Sequence, residues 1–313
     1  MSDLLSVLPQ QLVFGIALGT IYGLLALGYT MVYGVLFMIN FAHGEVFMIG
    51  AYVGWAVFAA LLDHQVGGLH PIWVLPIMLL PAMAFCGGLG MAIERFAYRP
   101  LYRRGATRLG PLISAVGASI FLQNAVMLTQ GARMKVYMTN LLFPRGWRFN
   151  FLGVSVSALL IVMVVVAAIM MWGLHTPVQK TRLGRAIRAV AEDREMAAVM
   201  GVSVNNVIGA TFFLGSALAG VAGVLIGLYY TQIDFVMGYS AGLKAFTAAV
   251  LGGIGNIKGA MLGGLILGIV ESFAVTFINP AFKDVIAFGL LILTLTFRPE
   301  GLLGESLADW KKV

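Results

Sequence analysis

The chain has 313 residues, of which 60% are hydrophobic and only 11% are charged. Soluble domains carry about 25% charged and about 45–50% apolar residues, so this composition, with a mean hydropathy of +0.94, excludes a soluble globular protein. The net charge of +7 does not indicate nucleic-acid binding, because the basic residues occur in short bursts between apolar runs, as in the cytoplasmic loops of membrane proteins.

Apolar runs long enough to cross a bilayer, which takes about 20 residues, recur along the whole chain. In chain order we predict spans at 11–38, 42–62, 71–94, 109–129, 151–175, 206–230, 256–277 and 281–297. A shorter apolar piece at 241–254 either crosses or dips in and returns. Since no linker divides the chain, residues 1–313 are predicted to form a single all-α transmembrane bundle of about eight to nine spans, some discontinuous.

The N-terminal sequence, the glycines and the single cysteine fit this predicted membrane bundle. The opening MSDLLSVLPQQ lacks the positive region of a signal peptide, so we expect the first span to be retained. Glycines inside apolar runs, such as Gly15, Gly19, Gly23 and Gly28, indicate helices that pack closely in the membrane. The single Cys86 excludes a disulfide framework.

The basic residues predict an orientation. Fourteen of the 20 Lys and Arg residues fall on one side of the predicted map: five in 95–108, five in 176–205, and the four residues Lys258, Arg298, Lys311 and Lys312. Five fall in the loops on the other side, and Lys244 is embedded in an apolar piece. The side richer in Lys and Arg is normally cytoplasmic. We therefore predict a multi-pass protein of a bacterial inner membrane, with a periplasmic N-terminus and a cytoplasmic C-terminus.

Two glycine-rich breaks interrupt the apolar runs, at 39–45 (INFAHGE) and 252–259 (GGIGNIKG). Paired interruptions in the two halves of a chain indicate a transporter built from repeats, although the similarity between these two is slight. Unwound backbone at membrane depth needs protein or a water-filled cavity around it. The first break is therefore either a plain cytoplasmic turn or a place that meets a zwitterionic substrate.

Polar residues near these breaks are candidates for a substrate pathway, because ionisable groups inside a membrane usually face a cavity or a partner. The candidates are the polar residues Asn40, His43, Glu45, Lys244, Thr247 and Asn256, together with the neighbouring aromatic residues Phe41 and Phe246. Two of them have a simpler alternative of their own: Glu45 could end a helix, and Lys244 could extend to the interface. Glu271, deep in a span, could pair with a neighbouring helix.

The loop at 176–205 contains a predicted amphipathic helix. From Leu183 to Met200 the apolar residues have helical periodicity, and Gly201 would supply a left-handed stop. Such a helix could lie on the lipid surface. Its polar face mixes arginines with Glu192, Asp193 and Glu195, which favours docking onto a partner protein.

Three segments carry a resemblance to a known family. GRAIRAVAEDREMAAVMG resembles the coupling helix of branched-chain amino acid permeases of the ATP-binding-cassette importers. GYTMVYGVLFMINFAHGEVFMIGAY and KAFTAAVLGGIGNIKGAMLGGLILGI resemble the two signature segments of the LivH-type members. The resemblance implies a cytoplasmic coupling helix over 182–201 that contacts an ATPase subunit. The implied coupling residues are Arg182, Gly184, Arg185, Arg188, Glu192, Asp193, Ala197, Ala198, Met200 and Gly201.

The resemblance also implies partners: a second homologous permease, two cytoplasmic ATPase subunits, and a periplasmic binding protein that delivers leucine, isoleucine, valine or a related amino acid. We expect no catalysis, cofactor or metal in this chain. The closest approach to a phosphate-binding loop, Gly253–Gly259, has Lys258 followed by glycine instead of Ser or Thr, so ATP and magnesium are expected on the partners. His43-Gly44-Glu45 lacks the Pro-Cys-x-x-Cys that zinc deaminases require.

Three alternatives stay open from the sequence. The same machinery could carry urea, short amides or other amino acids. An ion-coupled secondary transporter would transport without partners, and the paucity of intramembrane carboxylates speaks against it. A membrane enzyme would need converging catalytic groups, and the four histidines are not clustered.

Overall fold

The computed structural model describes residues 2–63, 71–105, 109–143, 147–151 and 154–304. The α-helices are α1 (Ser2–Leu36), α2 (His43–Asp63), α3 (Pro71–Ile93), α4 (Arg99–Arg103), α5 (Leu109–Gln130), α6 (Thr139–Leu142), α7 (Ala158–Lys180), α8 (Arg182–Glu192), α9 (Arg194–Val199), α10 (Val204–Tyr230), α11 (Met237–Gly252), α12 (Ile257–Phe277) and α13 (Lys283–Phe297). A π-helical turn (Glu94–Tyr98) joins α3 to α4, and a short 3-10 helix (Pro280–Phe282) precedes α13.

Four short strands complete the described part of the fold. β1 (Lys135–Val136) pairs antiparallel with β4 (Gln232–Ile233), with Lys135 opposite Ile233. β2 (Arg148–Phe151) pairs antiparallel with β3 (Val154–Ser157), with Arg148 opposite Ser157. Both pairs lie on one side of the helical bundle, the strand side, whereas α8 and α9 lie at the other end of α7 and α10.

Within the described ranges, eight helices are long and apolar enough to cross a membrane, which confirms the predicted all-α polytopic fold. They are Val7–Leu36, His43–Leu62, Trp73–Arg103, Leu109–Gln130, Ala158–Lys180, Val204–Tyr230, Ile257–Phe277 and Pro280–Phe297. α1 and α10 are buried at the centre, while α5 and α13 expose most of their length.

The glycines do allow close helix packing, as predicted. α1 and α12 run antiparallel, and a Cβ placed on Gly268 would lie 2.2 Å from the backbone nitrogen of Gly19. On α10, a Cβ on Gly215 would lie 3.2 Å from the backbone of Gly28. Because these neighbours are backbone atoms, larger residues would force the helices apart.

Three predicted boundaries were wrong. The fifth span begins at Ala158, not at residue 151, because Val154 and Val156 alternate with serines in β3. The predicted loop at 95–108 is helical as far as Arg103. The predicted break at 39–45 ends earlier, because His43 already starts α2.

The predicted single helix over 182–201 is two helices. Asp193 has extended backbone angles (φ −150°, ψ 115°), and it ends α8 and caps α9. Its carboxylate accepts hydrogen bonds from the backbone N–H groups of Glu195 and Met196. Aspartate caps helices in this way readily, and helical periodicity in the sequence does not reveal such an interruption.

Residues 241–252 of the apolar piece at 241–254 lie within α11, which follows β4 in the chain. The carbonyl groups of Leu251 and Gly252, at its other end, accept hydrogen bonds from the N–H groups of Leu302 and Leu303. That end also neighbours the α1 terminus, since Gly34 approaches Gly255. The 16 residues of α11 are about 24 Å long, which is shorter than the roughly 30 Å of a bilayer core, and Gly238 near the start of α11 lies against Gly44 at the start of α2.

Candidate functional site

The first break, residues 37–42, turns back from the end of α1 toward the middle of the bundle. Phe37 has a positive φ of 54° and ends α1. Asn40 is 2% exposed, and its side-chain oxygen accepts hydrogen bonds from the Tyr98 hydroxyl (2.7 Å) and from the Ala42 N–H (3.1 Å). The break is therefore partly buried, with Asn40 and Ala42 buried and Phe37 exposed, and the π-helical turn holds it through Tyr98.

The first turn of α2 carries two buried ionisable side chains. His43 lies beside the middle of α1, where its Nε2 donates to the Leu25 carbonyl (3.3 Å). Glu45 accepts a hydrogen bond from the Ser119 hydroxyl of α5 (3.3 Å) through one carboxylate oxygen. Within the described ranges, His43 Nδ1 and the other oxygen of Glu45 have no hydrogen-bond partner.

Tyr29 of α1 brings the two halves of the chain together. Its ring contacts the ring of His43 edge-on at 4.7 Å and that of Phe246 from α11 at 6.3 Å. Beside it lies a cavity of about 10 Å³, lined by Tyr29, Tyr33, Ile39, Phe246, Ala249 and Ile254. Since a water molecule needs about 10–15 Å³, this cavity between the two breaks is too small for an amino acid in this conformation.

Lys244 forms the centre of a buried ion cluster. Its Nζ lies 2.7 Å from Glu271 of α12 and 2.8 Å from Asp284 of α13. Glu271 also accepts a hydrogen bond from the Tyr22 hydroxyl of α1 (2.9 Å). Glu271 thus pairs with a neighbouring helix, which is the alternative that the sequence offered. Lys244 is paired within the bundle and does not extend to the interface.

The remaining pathway candidates have defined neighbours. Thr247 donates to the Leu243 carbonyl of its own helix (3.0 Å). Asn256 caps α12 by accepting from the Gly259 N–H (3.0 Å), and it donates to the Leu303 carbonyl (2.7 Å). Phe41 packs against the core. The structure therefore groups His43 and Phe246 around Tyr29 and leaves Lys244, Thr247 and Asn256 apart from them.

α8 packs tightly across the end of α7. Ile187 and Val190 are buried, as the periodicity predicted. A Cβ on Gly184 would lie 1.9 Å from the Val178 carbonyl oxygen, so only glycine allows this approach. Arg188 donates to the same carbonyl (2.6 Å). The sequence analysis did not predict this contact.

α9 ends as predicted, at a glycine with left-handed geometry. Gly201 has φ 85°, and the hydrogen bonds from Gly201 to Ala198 and from Val202 to Ala197 form a Schellman motif. Ala197 is buried, whereas Ala198 and the charged coupling candidates Arg182, Arg185, Glu192 and Asp193 are exposed.

An exposed apolar surface accompanies these charges. Met196, Val199 and Met200 are 60%, 80% and 78% exposed. Together with Glu192 and Glu195, they form a surface that is partly apolar and partly acidic, which we call the α9 surface.

Several residues of these sites escaped sequence reasoning. Tyr98, Ser119 and Asp284 contact their partners only through the fold, and Arg194 donates to the Val35 carbonyl at the end of α1 (2.7 Å). Burial lowers the pKa of the Arg194 guanidinium, and Tyr102 partly opposes this.

A second missed cluster lies in the π-helical turn. The carboxylate of Glu94 is buried and binds the Arg99 guanidinium through both oxygens (2.6 and 3.0 Å). It also accepts a hydrogen bond from the Tyr102 hydroxyl (2.5 Å). The sequence analysis placed Arg99 in a loop. The only sequence signal for this cluster was that the helix could continue beyond the apolar run.

Among the residues that the structure describes, eight membrane-length helices and a helix pair fixed to the ends of two spans define a polytopic membrane protein. Residues 11–295 match the family described as permease components of branched-chain amino acid transport systems. The chain belongs to this family.

Its relatives agree. The chain is 51% identical to the high-affinity branched-chain amino acid transport system permease protein BraD of Pseudomonas aeruginosa, over 95% of both chains. It is 46% identical to the corresponding LivH protein of Escherichia coli, again over 95% of both. A more distant relative is a probable branched-chain amino acid transport permease protein LivM of Methanocaldococcus jannaschii, 24% identical over 93% of this chain and 85% of the relative.

Proposed function

We propose that this chain is the non-catalytic, membrane-spanning subunit of an ATP-driven importer of branched-chain amino acids. In this proposal ATP and magnesium bind to two partner ATPase subunits, a periplasmic binding protein delivers the cargo, and a second, homologous permease completes the membrane core. The LivM-named relative supports a second permease of related sequence. The α8–α9 side would be cytoplasmic, which agrees with the distribution of Lys and Arg.

The observation that carries the proposal is the α9 surface. Exposed Met196, Val199 and Met200 next to Glu192 and Glu195 suit a protein groove that offers apolar and basic groups. An anionic lipid surface would repel the same glutamates. The Schellman stop at Gly201 and the cap at Asp193 fix the two ends of α9.

The test is charge reversal on the α9 surface. Glu192→Lys combined with Glu195→Lys leaves the Asp193 cap intact, and we expect it to abolish co-purification of the ATPase subunits and uptake of labelled leucine. The amount of chain in the membrane should stay at the wild-type level. The control is Arg104→Glu, a charge reversal at an exposed residue on the same side of the bundle. If the double variant keeps both its ATPase partners and uptake, the coupling assignment is wrong.

The cargo proposal rests on the names of the relatives with 46–51% identity. We expect unlabelled isoleucine and valine to compete with leucine uptake, and urea and short amides not to compete. The opposite pattern would transfer the same machinery to another cargo. Accumulation of leucine in vesicles that contain only this chain would instead favour an ion-coupled secondary transporter.

For the pathway itself we propose contact with Asn40, Phe41, His43, Glu45 and Phe246, which lie at or beside the first break. Three of them have a buried polar atom without a partner among the described residues. A rearrangement of the break would expose those atoms, which could then bind the ammonium and carboxylate groups of a zwitterion. For Lys244, Thr247 and Asn256, which have partners within the chain, a pathway role stays a prediction.

A further inference from the structure

Two arginines fix the α8–α9 segment to the ends of two different membrane helices. Arg188 donates to the carbonyl of Val178 in the last turn of α7 (2.6 Å), and Arg194 donates to the carbonyl of Val35 in the last turn of α1 (2.7 Å). Carbonyl groups in a last turn lack partners within their helix. A guanidinium there gains both a charge-assisted hydrogen bond and a favourable interaction with the helix dipole.

The two contacts differ in what they join. Arg188 binds the helix that directly precedes its own in the chain, so it reinforces a covalent neighbour. Arg194 binds a residue 159 positions away. Because Asp193 separates α8 from α9 with extended backbone, α9 can move on α8 while Arg188 keeps α8 on α7.

The hydrogen bond from Arg194 reaches α1 close to the start of the first break. Val35 lies two residues before Phe37, whose positive φ starts the first break. The break then leads to Asn40 and to His43, which contacts the middle of α1 again at Leu25. A displacement of the end of α1 therefore acts directly on the break.

We infer that Arg194 is a positioning residue that transmits movement of α9 to the end of α1 and to the break at 37–42. Arg188 holds α8 in place while this happens. The inference rests on the proposed function, because an ATPase subunit must move α9. Arg194 contacts no substrate in this role.

The test measures coupling rather than activity alone. The complete complex, with its ATPase subunits, is reconstituted in liposomes with loaded binding protein, and leucine transported is compared with ATP hydrolysed. For Arg194→Gln we expect normal co-purification of the ATPase subunits and near-normal hydrolysis. The leucine-to-ATP ratio should fall about tenfold or more, the factor that corresponds to losing one charge-assisted hydrogen bond. Arg194→Lys, which keeps the charge, should recover part of the ratio.

Arg104→Gln serves as the control, since Arg104 is an exposed arginine on the same side and is expected to keep the wild-type ratio. An unchanged ratio in Arg194→Gln would overturn the inference and leave the proposed function standing. If neither Arg194→Gln nor Arg194→Met retains the ATPase subunits, Arg194 serves assembly and the inference is also wrong. Failure of the wild-type chain to hold any ATPase subunit would instead refute the proposed function.

Discussion

Replacing Lys244 with methionine is expected to destabilise the bundle strongly. Among the residues that the structure describes, Lys244 is the only cation that pairs with Glu271 and Asp284. The side chain of Glu271 is 3% exposed, so its carboxylate would keep the Tyr22 hydrogen bond but lose its counter-charge. Removing one partner of a buried pair costs about 3–5 kcal/mol. Asp284 adds little, because it is 47% exposed and can be solvated by water.

Thermal unfolding of the purified chain in detergent measures this effect. A loss of about 3 kcal/mol should lower the unfolding midpoint by roughly 5–10 °C. Glu271→Gln should cost less, since Lys244 keeps Asp284 as a partner. The double variant Lys244→Met, Glu271→Gln should unfold at a higher temperature than Lys244→Met alone, because no unpaired carboxylate is then left at residue 271.

Lys258→Met is the matched control, because Lys258 is exposed and the same substitution there should change stability by about 0.5 kcal/mol or less. If Lys244→Met unfolds at the wild-type temperature, Glu271 does not need a cation, and the description of the cluster as a buried ion pair fails. If the double variant is as unstable as the sum of the singles, the two side chains are not coupled.

Three further predictions concern the packing, the break and the coupling segment. Gly268→Ala should lower stability by about 1–3 kcal/mol, because its Cβ meets backbone of α1; Gly88→Ala, with open space around it, should be neutral or slightly stabilising by thermal unfolding. Tyr98→Phe should cost about 1 kcal/mol in the same assay by removing the hydrogen bond to Asn40. Asp193→Ala should reduce leucine uptake by loosening α9 at a cost of about 1 kcal/mol, whereas Asp193→Asn, which can still cap the helix, should retain uptake.

The sequence predicted what depends on local hydropathy and on helix chemistry. Runs of apolar residues revealed the spans, and Gly201 revealed the end of α9, because a left-handed residue after a helix strongly favours glycine. The buried face of α8 was also predictable, since Ile187 and Val190 follow the helical period.

What escaped prediction depends on contacts between distant parts of the chain. Asp284 of α13 contacts Lys244 of α11, and Tyr98 of the π-helical turn donates a hydrogen bond to Asn40, which is 58 residues away in the chain. Hydropathy also merged β3 with the fifth span, because Val154 and Val156 raise the average of a window that cannot register alternation with serine. A hydropathy average over a window of residues detects neither contacts between distant residues nor a local change from helical to strand-like alternation.

The two breaks are built differently, and the difference indicates which one moves. At the second break, Asn256 caps α12 and binds the Leu303 carbonyl, while backbone hydrogen bonds from residues 302 and 303 close the end of α11. At the first break, side-chain atoms of Asn40, His43 and Glu45 are buried without partners among the described residues. Unpaired buried polar atoms each cost about 1–3 kcal/mol, so a rearrangement that pairs them has a stability gain available. Since Arg194 holds the helix end directly before that break, movement of α9 would reach the segment that carries these unpaired atoms.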